Sequence, residues 1–369
     1  MQLLVGQRFS RLHRGEILTS DSVVDRGPGN SPKPAGQQRL GAIVWFRAAA
    51  IILIVAGHSY ESSGVNLVTG LDRVFSDLIK GSTALFVFIS GLLFDYVFSA
   101  RYSYWSFVFD RVRKLVIPYC LLTALAGITF YHWATGGASL VGVFSNLVLG
   151  NAFQAYWYIP FIAIMFALAP LHRLFMRLSV SYQITIVIIA AILAGVVQRP
   201  VSNDNAFQSI VFYMPIYLSG IFLSLHRERL MPALQKNWPW LLLAAVLLAV
   251  IQASNGQSDN MHKPFFAIRS FELMGFQKLM LCFALMGLFA SLSPAPAHGV
   301  HLVADTSFAI FFLHPFVLKF VEGTAPFQLT NFPWINLAIA TFAIIALCTL
   351  VALAVRAVFG SVSKYVTGY

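Results

Sequence analysis

The sequence predicts an all-α, polytopic membrane helix bundle with about ten transmembrane helices. Of its 369 residues, 58% are hydrophobic and only 11% are charged, whereas about a quarter of the residues of a soluble domain are charged. The mean hydropathy is +0.74, and apolar runs of about 20 residues, the length that a helix needs to cross a bilayer, recur along the chain. Alternating strands of about ten residues, which indicate a membrane β-barrel, are not a feature of the sequence.

The apolar runs and the turn-rich stretches between them give the predicted spans. In chain order they are 42–60, 80–99, 115–133, 154–171, 181–198, 208–225, 239–255, 270–292, 303–321 and 334–356. The segment 139–151 is apolar but short, so we predict an interfacial or re-entrant piece there.

Charge predicts the orientation and the outer parts of the chain. Residues 1–40 are polar, rich in Gly, Pro and Ser, and hold no apolar signal-peptide core, which predicts a disordered basic cytoplasmic tail. Residues 41–358 form the membrane domain, and 359–369 a short cytoplasmic C-terminal tail. With the N-terminus inside, 17 of the 25 Lys and Arg residues lie in inside segments and five outside. The positive-inside rule then places both termini in the cytoplasm.

The net charge of +11 does not indicate a nucleic-acid partner, because the basic residues stand in short clusters between apolar runs. The three cysteines, Cys120, Cys282 and Cys348, all fall in apolar segments. We interpret them as small packing residues. Neither a disulfide framework nor a metal site is expected.

Arg47 and His58 share the first span, in the stretch WFRAAAIILIVAGHSY. At about 100° per residue, eleven residues return to within roughly 20° of the starting direction, and they rise about 16 Å. Charged and titratable side chains are rare inside a bilayer and face functional paths. We therefore predict a polar path lined by Arg47 and His58, although a lone His near a helix end is often only an interfacial residue.

An imidazole that titrates near neutral pH is the usual general base for activating a hydroxyl, and His58 is the candidate. Glu61, one turn beyond His58, is a candidate to orient the ring, or a solvated loop residue. Arg111, Arg113 and Lys114 stand in a predicted cytoplasmic loop before the third span. They indicate either positive-inside anchoring or a phosphate-binding cluster.

Three further stretches carry candidate residues. Ser90-Gly91 in the second span permits close helix packing. Trp157 belongs to an aromatic belt at the outer end of the fourth span. His314-Pro315 lies within the ninth span, where proline frees a backbone carbonyl four residues earlier. His314 is then either a hydrogen-bond partner for a neighbouring helix or part of a site.

Together these stretches resemble the acyltransferase 3 family of integral membrane acyltransferases. In that family the first span carries Arg, ten residues, then His, as Arg47 and His58 do. The remaining similar motifs are an FFxxSG-like Phe86–Gly91, an R-x-x-R-like Arg111–Lys114 before Ile117-Pro118-Tyr119, an aromatic stretch from Trp157 to Pro170, and Ser307 to Pro315. Lys114 replaces the second Arg of R-x-x-R, and it keeps the charge without the bidentate fork.

The resemblance implies an enzyme of the stand-alone type without an SGNH domain, whose membrane acyltransferase domain is 41–358. It implies transfer of an acyl group, most often acetyl, to a hydroxyl of a cell-envelope or exopolysaccharide carbohydrate. The donor is cytoplasmic acyl-CoA, used as a substrate rather than a permanently bound cofactor. The expected location is the bacterial cytoplasmic membrane, among membrane lipids. The acceptor is then a sugar hydroxyl, which can be lipid-linked, and other polysaccharide-assembly proteins are possible partners.

In this scheme His58 is the general base or the carrier of an acyl intermediate, assisted by Glu61. Arg47 guides the donor or offsets negative charge on the thioester oxygen. The CoA phosphates are bound by Arg111, Arg113 and Lys114. The substrate is bound by Trp157, Ser307 and His314. Two other classes stay open: a transporter or flippase of lipid-linked sugar or polymer, and a non-catalytic subunit of a polysaccharide synthase.

Overall fold

The computed structural model is almost entirely helical, as the composition predicts. It describes residues 35–98, 103–130, 140–201, 205–257, 262–265, 267, 271–292, 296–322, 324 and 327–369. Most of the predicted tail, residues 1–34, lies outside the described residues, and the last part of that tail belongs to the first helix.

The helices follow the predicted order of spans. The first seven are α1 (Ala35–His58), α2 (Tyr60–Ser63), α3 (Gly70–Ile79), α4 (Thr83–Phe98), α5 (Tyr104–Phe130), α6 (Leu140–Leu149) and α7 (Tyr158–Ala167). The next eight are α8 (Ala169–Arg177), α9 (Val180–Val197), α10 (Ala206–Leu225), α11 (Arg227–Ser254), α12 (Met274–Ser291), α13 (His298–Phe320), α14 (Pro333–Phe359) and α15 (Ser363–Val366).

The number of membrane-crossing helices agrees with the prediction of about ten. Nine helical segments in the described parts of the chain are long and apolar enough to cross a membrane. The count becomes ten if α7 and α8, which meet at a 55° bend, form one broken span. The predicted fourth span, 154–171, begins in the turn that precedes Tyr158. It covers all of α7 and only the start of α8.

Two helices begin well before their predicted spans. α5 starts at Tyr104, so the basic cluster predicted to stand in a loop is helical, and Pro118 lies inside the helix. α11 starts at Arg227 and contains Pro232 and Pro239. The predicted loops are wrong, because a proline in an apolar run does not have to mark the start of a membrane helix. A membrane helix tolerates proline where neighbouring groups satisfy the freed carbonyl.

The predicted second span, 80–99, is interrupted at its start by a turn at residues 80–82, which joins α3 to α4. Lys278 on α12 is 2% exposed, and its Nζ donates to the carbonyl oxygens of Asp77 and Leu78 at 2.8 and 3.0 Å. A cation at these last carbonyls of α3 caps the helix. The predicted short piece 139–151 contains the ten-residue helix α6.

α1 lies in the middle of the bundle and packs against α4, α12, α13 and α14. Its first half meets the end of α12, where Trp45 stacks on Phe289 with 6.1 Å between ring centroids. Its last turn meets the α3–α4 turn, where a Cβ added to Gly57 would lie 3.8 Å from the Cα of Lys80. We call these two ends of the bundle the Arg47 end and the His58 end.

α4 and α10 approach each other closely through two glycines. A Cβ on Gly91 would lie 2.0 Å from the carbonyl oxygen of Tyr217, and a Cβ on Gly220 would lie 2.1 Å from that of Phe88. The close packing predicted from Ser90-Gly91 is therefore present, and it draws Tyr217 toward the centre of the bundle.

The peripheral parts of the chain also pack in order. Residues 363–369, in the predicted C-terminal tail, contact α5 and α14, and Tyr369 is buried beside Ala309 and Ala352. Among the cysteines, Cys282 and Cys348 are buried in helix contacts as predicted, whereas Cys120 is exposed on the side of α5 that faces away from the bundle.

Candidate functional site

Arg47 and His58 point toward the same neighbouring helix, as their spacing predicts. α1 is continuous between them, so they are about 16 Å apart along its axis. Arg47 Nη2 donates to Ser307 Oγ of α13 at 3.0 Å, and the His58 ring lies 5.4 Å from the His314 ring of the same helix. The α1–α13 contact therefore joins four of the predicted site residues.

Both residues of α1 keep part of their surface accessible although protein surrounds them. Arg47 and His58 are half-buried, while Ser307 and His314 are completely buried. α1 contacts four other long helices, so the partly accessible guanidinium and imidazole stand among packed helices.

The hydrogen bond of His314 fixes the state of its ring. Nδ1 lies 3.0 Å from the carbonyl oxygen of Ile310. A carbonyl only accepts, so Nδ1 carries the proton, and in the neutral ring Nε2 has the free lone pair. Nε2 is buried and hydrogen-bonds to no other described residue. The His314 ring, whose centroid lies 5.4 Å from that of His58, therefore has an acceptor nitrogen.

His58 itself is surrounded by polar groups at the His58 end. The side chain of Gln154 hydrogen-bonds to its ring, and Lys80 and Arg199 lie close enough to act on it electrostatically. Gln154 is exposed, so this side of His58 opens to the surface of the bundle. Glu61 is exposed, and it is not among the described groups that act on the His58 ring. The described side chain that bonds to the ring is that of Gln154, and the orienting role of Glu61 stays a prediction.

Arg199 is held above an aromatic pair. Its guanidinium lies 5.3 Å from the ring centroid of Trp157 and 6.0 Å from that of Tyr213, and these two rings stack at 5.6 Å. Arg199 also belongs to a short parallel pairing, β1 (Arg199–Pro200) with β2 (His262–Lys263). Trp157 is only 6% exposed. Its ring contacts the Arg199 guanidinium, and little of it reaches the protein surface.

An aromatic wall connects the two polar pairs of the α1–α13 contact. Phe86 of α4 lies 6.4 Å from each of Phe308 and Phe311, and Tyr158 of α7 lies 5.4 Å from Phe311. Phe311 in turn contacts the His314 ring at 6.0 Å. Aromatic rings therefore surround the part of α13 between Ser307 and His314.

The three basic residues of α5 differ in their surroundings. Arg111 is 6% exposed and turns inward over Phe107, at 5.8 Å from its ring. Arg111 and Lys114 share the carboxylate of Asp110, at 3.9 and 2.6 Å. Arg113 is exposed and lies over the ring of Tyr365 in the C-terminal segment, at 4.9 Å. Binding of the CoA phosphates by these three residues stays a prediction.

Sequence reasoning missed Gln154, Lys80, Arg199 and Tyr213. Gln154 precedes the aromatic stretch in a turn, and Lys80 and Arg199 were counted only as outside cations. No local pattern marks them, because Gln154, Lys80 and Arg199 act on His58 from segments that are distant in sequence, and Tyr213 contacts Arg199. Within the described residues no three His, Cys, Asp or Glu side chains form a group that could hold a metal ion.

The comparison with known families decides the class of protein. A family model described as an acyltransferase domain matches residues 40–353, which includes every residue of the site described above. The chain belongs to the acyltransferase 3 family. No protein of curated function and no solved structure matches it significantly. This acyltransferase is therefore a multi-pass membrane protein of transferase type.

Proposed function

We propose that this acyltransferase moves an acetyl group from cytoplasmic acyl-CoA to a hydroxyl of a cell-envelope or exopolysaccharide carbohydrate, in the cytoplasmic membrane of a bacterium. The observation that carries the proposal is the paired arrangement along α1 and α13. The imidazoles of His58 and His314 lie together near an open surface, and Arg47 is fixed by Ser307 about 16 Å away on the same helix.

The acceptor reaches the site from the His58 end. His58 is half-buried and its partner Gln154 is exposed, so a sugar hydroxyl can approach the imidazole without crossing the aromatic wall. Two cations, Lys80 and Arg199, lie near the same ring. Cations beside the reacting carbonyl stabilise the negative charge that develops on its oxygen. We assign Trp157 to holding Arg199 rather than to contacting the sugar.

The donor reaches the site from the Arg47 end, which the positive-inside rule places in the cytoplasm. Arg47 cannot stabilise the thioester oxygen while the thioester reacts at His58, because such a donor must lie within about 3 Å of that oxygen. Arg47 instead guides the arm of the donor, which is long enough when stretched to span the distance to His58. Arg111, turned inward at this end, contributes positive charge toward the phosphates.

In the reaction, a C–O bond forms between the acceptor oxygen and the acyl carbon while the C–S bond to CoA breaks. The hydroxyl proton passes to an imidazole of the pair, and the leaving thiolate finally takes it up. The balance is the same whether the acyl group moves directly or rests on His58 first. No metal is required for either route.

The test is thiol release from acetyl-CoA by the purified acyltransferase in lipid nanodiscs, with and without oligosaccharides from the envelope of the producing bacterium. We expect acceptor-dependent thiol release and an acetylated product by mass spectrometry. His58→Ala abolishes both, whereas His301→Ala, at an exposed His of α13, leaves both unchanged. Sugar movement without thiol release would instead indicate the flippase alternative, and neither activity would indicate the non-catalytic subunit.

A further inference from the structure

His314 differs from His58 in access and in hydrogen bonding. His314 is 0% exposed and its Nδ1 donates to the Ile310 carbonyl at 3.0 Å, whereas His58 is half-buried and is bonded to the exposed Gln154. A histidine whose first nitrogen donates to a fixed acceptor presents its second nitrogen as a base in a defined direction. The accessible ring of the pair is the one that can contact a large donor.

We propose that the two histidines divide the reaction: His58 carries the acyl group, and Nε2 of His314 takes the proton from the acceptor hydroxyl. This inference rests on the proposed function and adds a catalytic residue to it. The ring centroids of His58 and His314 lie 5.4 Å apart, and Nε2 of His314 is buried, so the packing around His314 must open for the acceptor hydroxyl to reach Nε2 next to an acylated His58. A general base must come within about 2.6–3.2 Å of the oxygen whose proton it accepts.

The proposed steps are balanced. First, the lone pair of a His58 nitrogen forms a C–N bond with the thioester carbon, the C–S bond breaks, and the thiolate takes the proton of the other His58 nitrogen. Second, the acceptor oxygen forms a C–O bond with the acyl carbon, its proton goes to His314 Nε2, and the C–N bond breaks. The proton then returns from His314 to His58, and both rings are neutral again.

The turn of α13 that bears His314 also contains a proline. Pro315 has no amide hydrogen, so the helix loses one backbone hydrogen bond beside the histidine. The neighbouring turn is held instead from outside, where the Tyr156 hydroxyl donates to the Phe312 carbonyl at 2.8 Å. This bond from another segment anchors the part of α13 that bears His314, which gives the base a fixed direction.

The experiment uses His314→Gln, which keeps a side-chain N–H for the Ile310 carbonyl and removes the basic nitrogen. The purified variant is mixed with acetyl-CoA, and the protein mass, thiol release and acceptor acetylation are followed. We expect one thiol released per protein, a mass increase of one acetyl group mapped to His58, and acceptor acetylation reduced at least about 100-fold. His301→Gln, on the same helix, should behave as wild type, and adding His58→Ala to His314→Gln should abolish the adduct.

Wild-type protein without acceptor provides the same test if His314→Gln does not fold. It should also release one thiol per protein in a burst and carry the acetyl group on His58. The inference is overturned if neither protein forms the adduct, or if folded His314→Gln acetylates the acceptor at the wild-type rate. Wild-type protein that consumes no acetyl-CoA with any acceptor would instead refute the proposed function, so the two failures are distinguishable.

Discussion

The contact between α4 and α10 gives a sharp stability test of the bundle. The Cβ of Gly91→Ala would lie 2.0 Å from the Tyr217 carbonyl oxygen, whereas ordinary contact begins at 3.4 Å. The helices would have to separate by about 1.4 Å, and such overpacking costs about 1–3 kcal/mol. Replacing glycine by alanine inside a helix otherwise stabilises the protein by about 1 kcal/mol. Gly91→Ala is therefore destabilising only if the cost of overpacking exceeds this stabilisation.

Gly275→Ala in α12 is the matched control, because its Cβ would meet no atom closer than 3.9 Å. We expect Gly275→Ala to be as stable as wild type or slightly more stable. Gly91→Ala should unfold a few degrees lower than Gly275→Ala, which corresponds to a contrast of about 1–3 kcal/mol, because the gain of alanine over glycine in a helix is common to both variants. The assay is intrinsic-fluorescence thermal unfolding in detergent micelles. Equal unfolding temperatures for the two variants would refute the close approach of α4 and α10.

Three further outcomes follow from the contacts of buried cations. Ser307→Ala removes the acceptor of the Arg47 hydrogen bond at 3.0 Å. Bonds to charged groups are worth about 1.5–3 kcal/mol, so the KM for acetyl-CoA should rise about 10–100-fold with a small change in kcat; an unchanged KM would exclude donor guidance by Arg47. Lys278→Met leaves two carbonyls of α3 without their donor; the unfolding temperature should fall by the equivalent of about 1–3 kcal/mol, and a stability equal to that of wild type would show that the cap is dispensable. Arg111→Gln should weaken CoA binding measured by calorimetry, whereas Arg113→Gln, at an exposed residue on Tyr365, should not; equal losses would indicate a shared surface clamp.

The fold was largely predictable because a bilayer demands long apolar helices. The number and order of spans follow from the apolar runs, and most ends agree within a few residues. The errors lie where proline was taken as a helix start. α5 begins eleven residues before its predicted span and α11 twelve residues before. In both helices the first turns carry charged residues, which lie at the end of the bundle and carry no hydropathy signal.

The candidate site was predictable where periodicity applies and unpredictable where distant segments meet. The common direction of Arg47 and His58 follows from eleven residues of one helix, and Ser307 and His314 stand two turns apart on α13. The packing of α1 against α13 is a tertiary contact, which the periodicity of either helix does not reveal. The orienting role that sequence gave to Glu61 depends on the path of the chain after His58. In the structure Gln154, almost 100 residues later, is the partner of the ring.

The most direct test of the site is photo-crosslinking with an acyl-CoA that carries a diazirine in its acyl chain. After irradiation of the protein in nanodiscs, peptide mapping identifies the residues around the acyl group. If the acyl group reacts between α1 and α13, we expect crosslinks in the last turns of α1, near His58, and on α13 between Phe311 and His314. Unlabelled acyl-CoA should suppress these crosslinks. Crosslinks confined to the basic end of α5 and to the segment around Tyr365 would contradict the account.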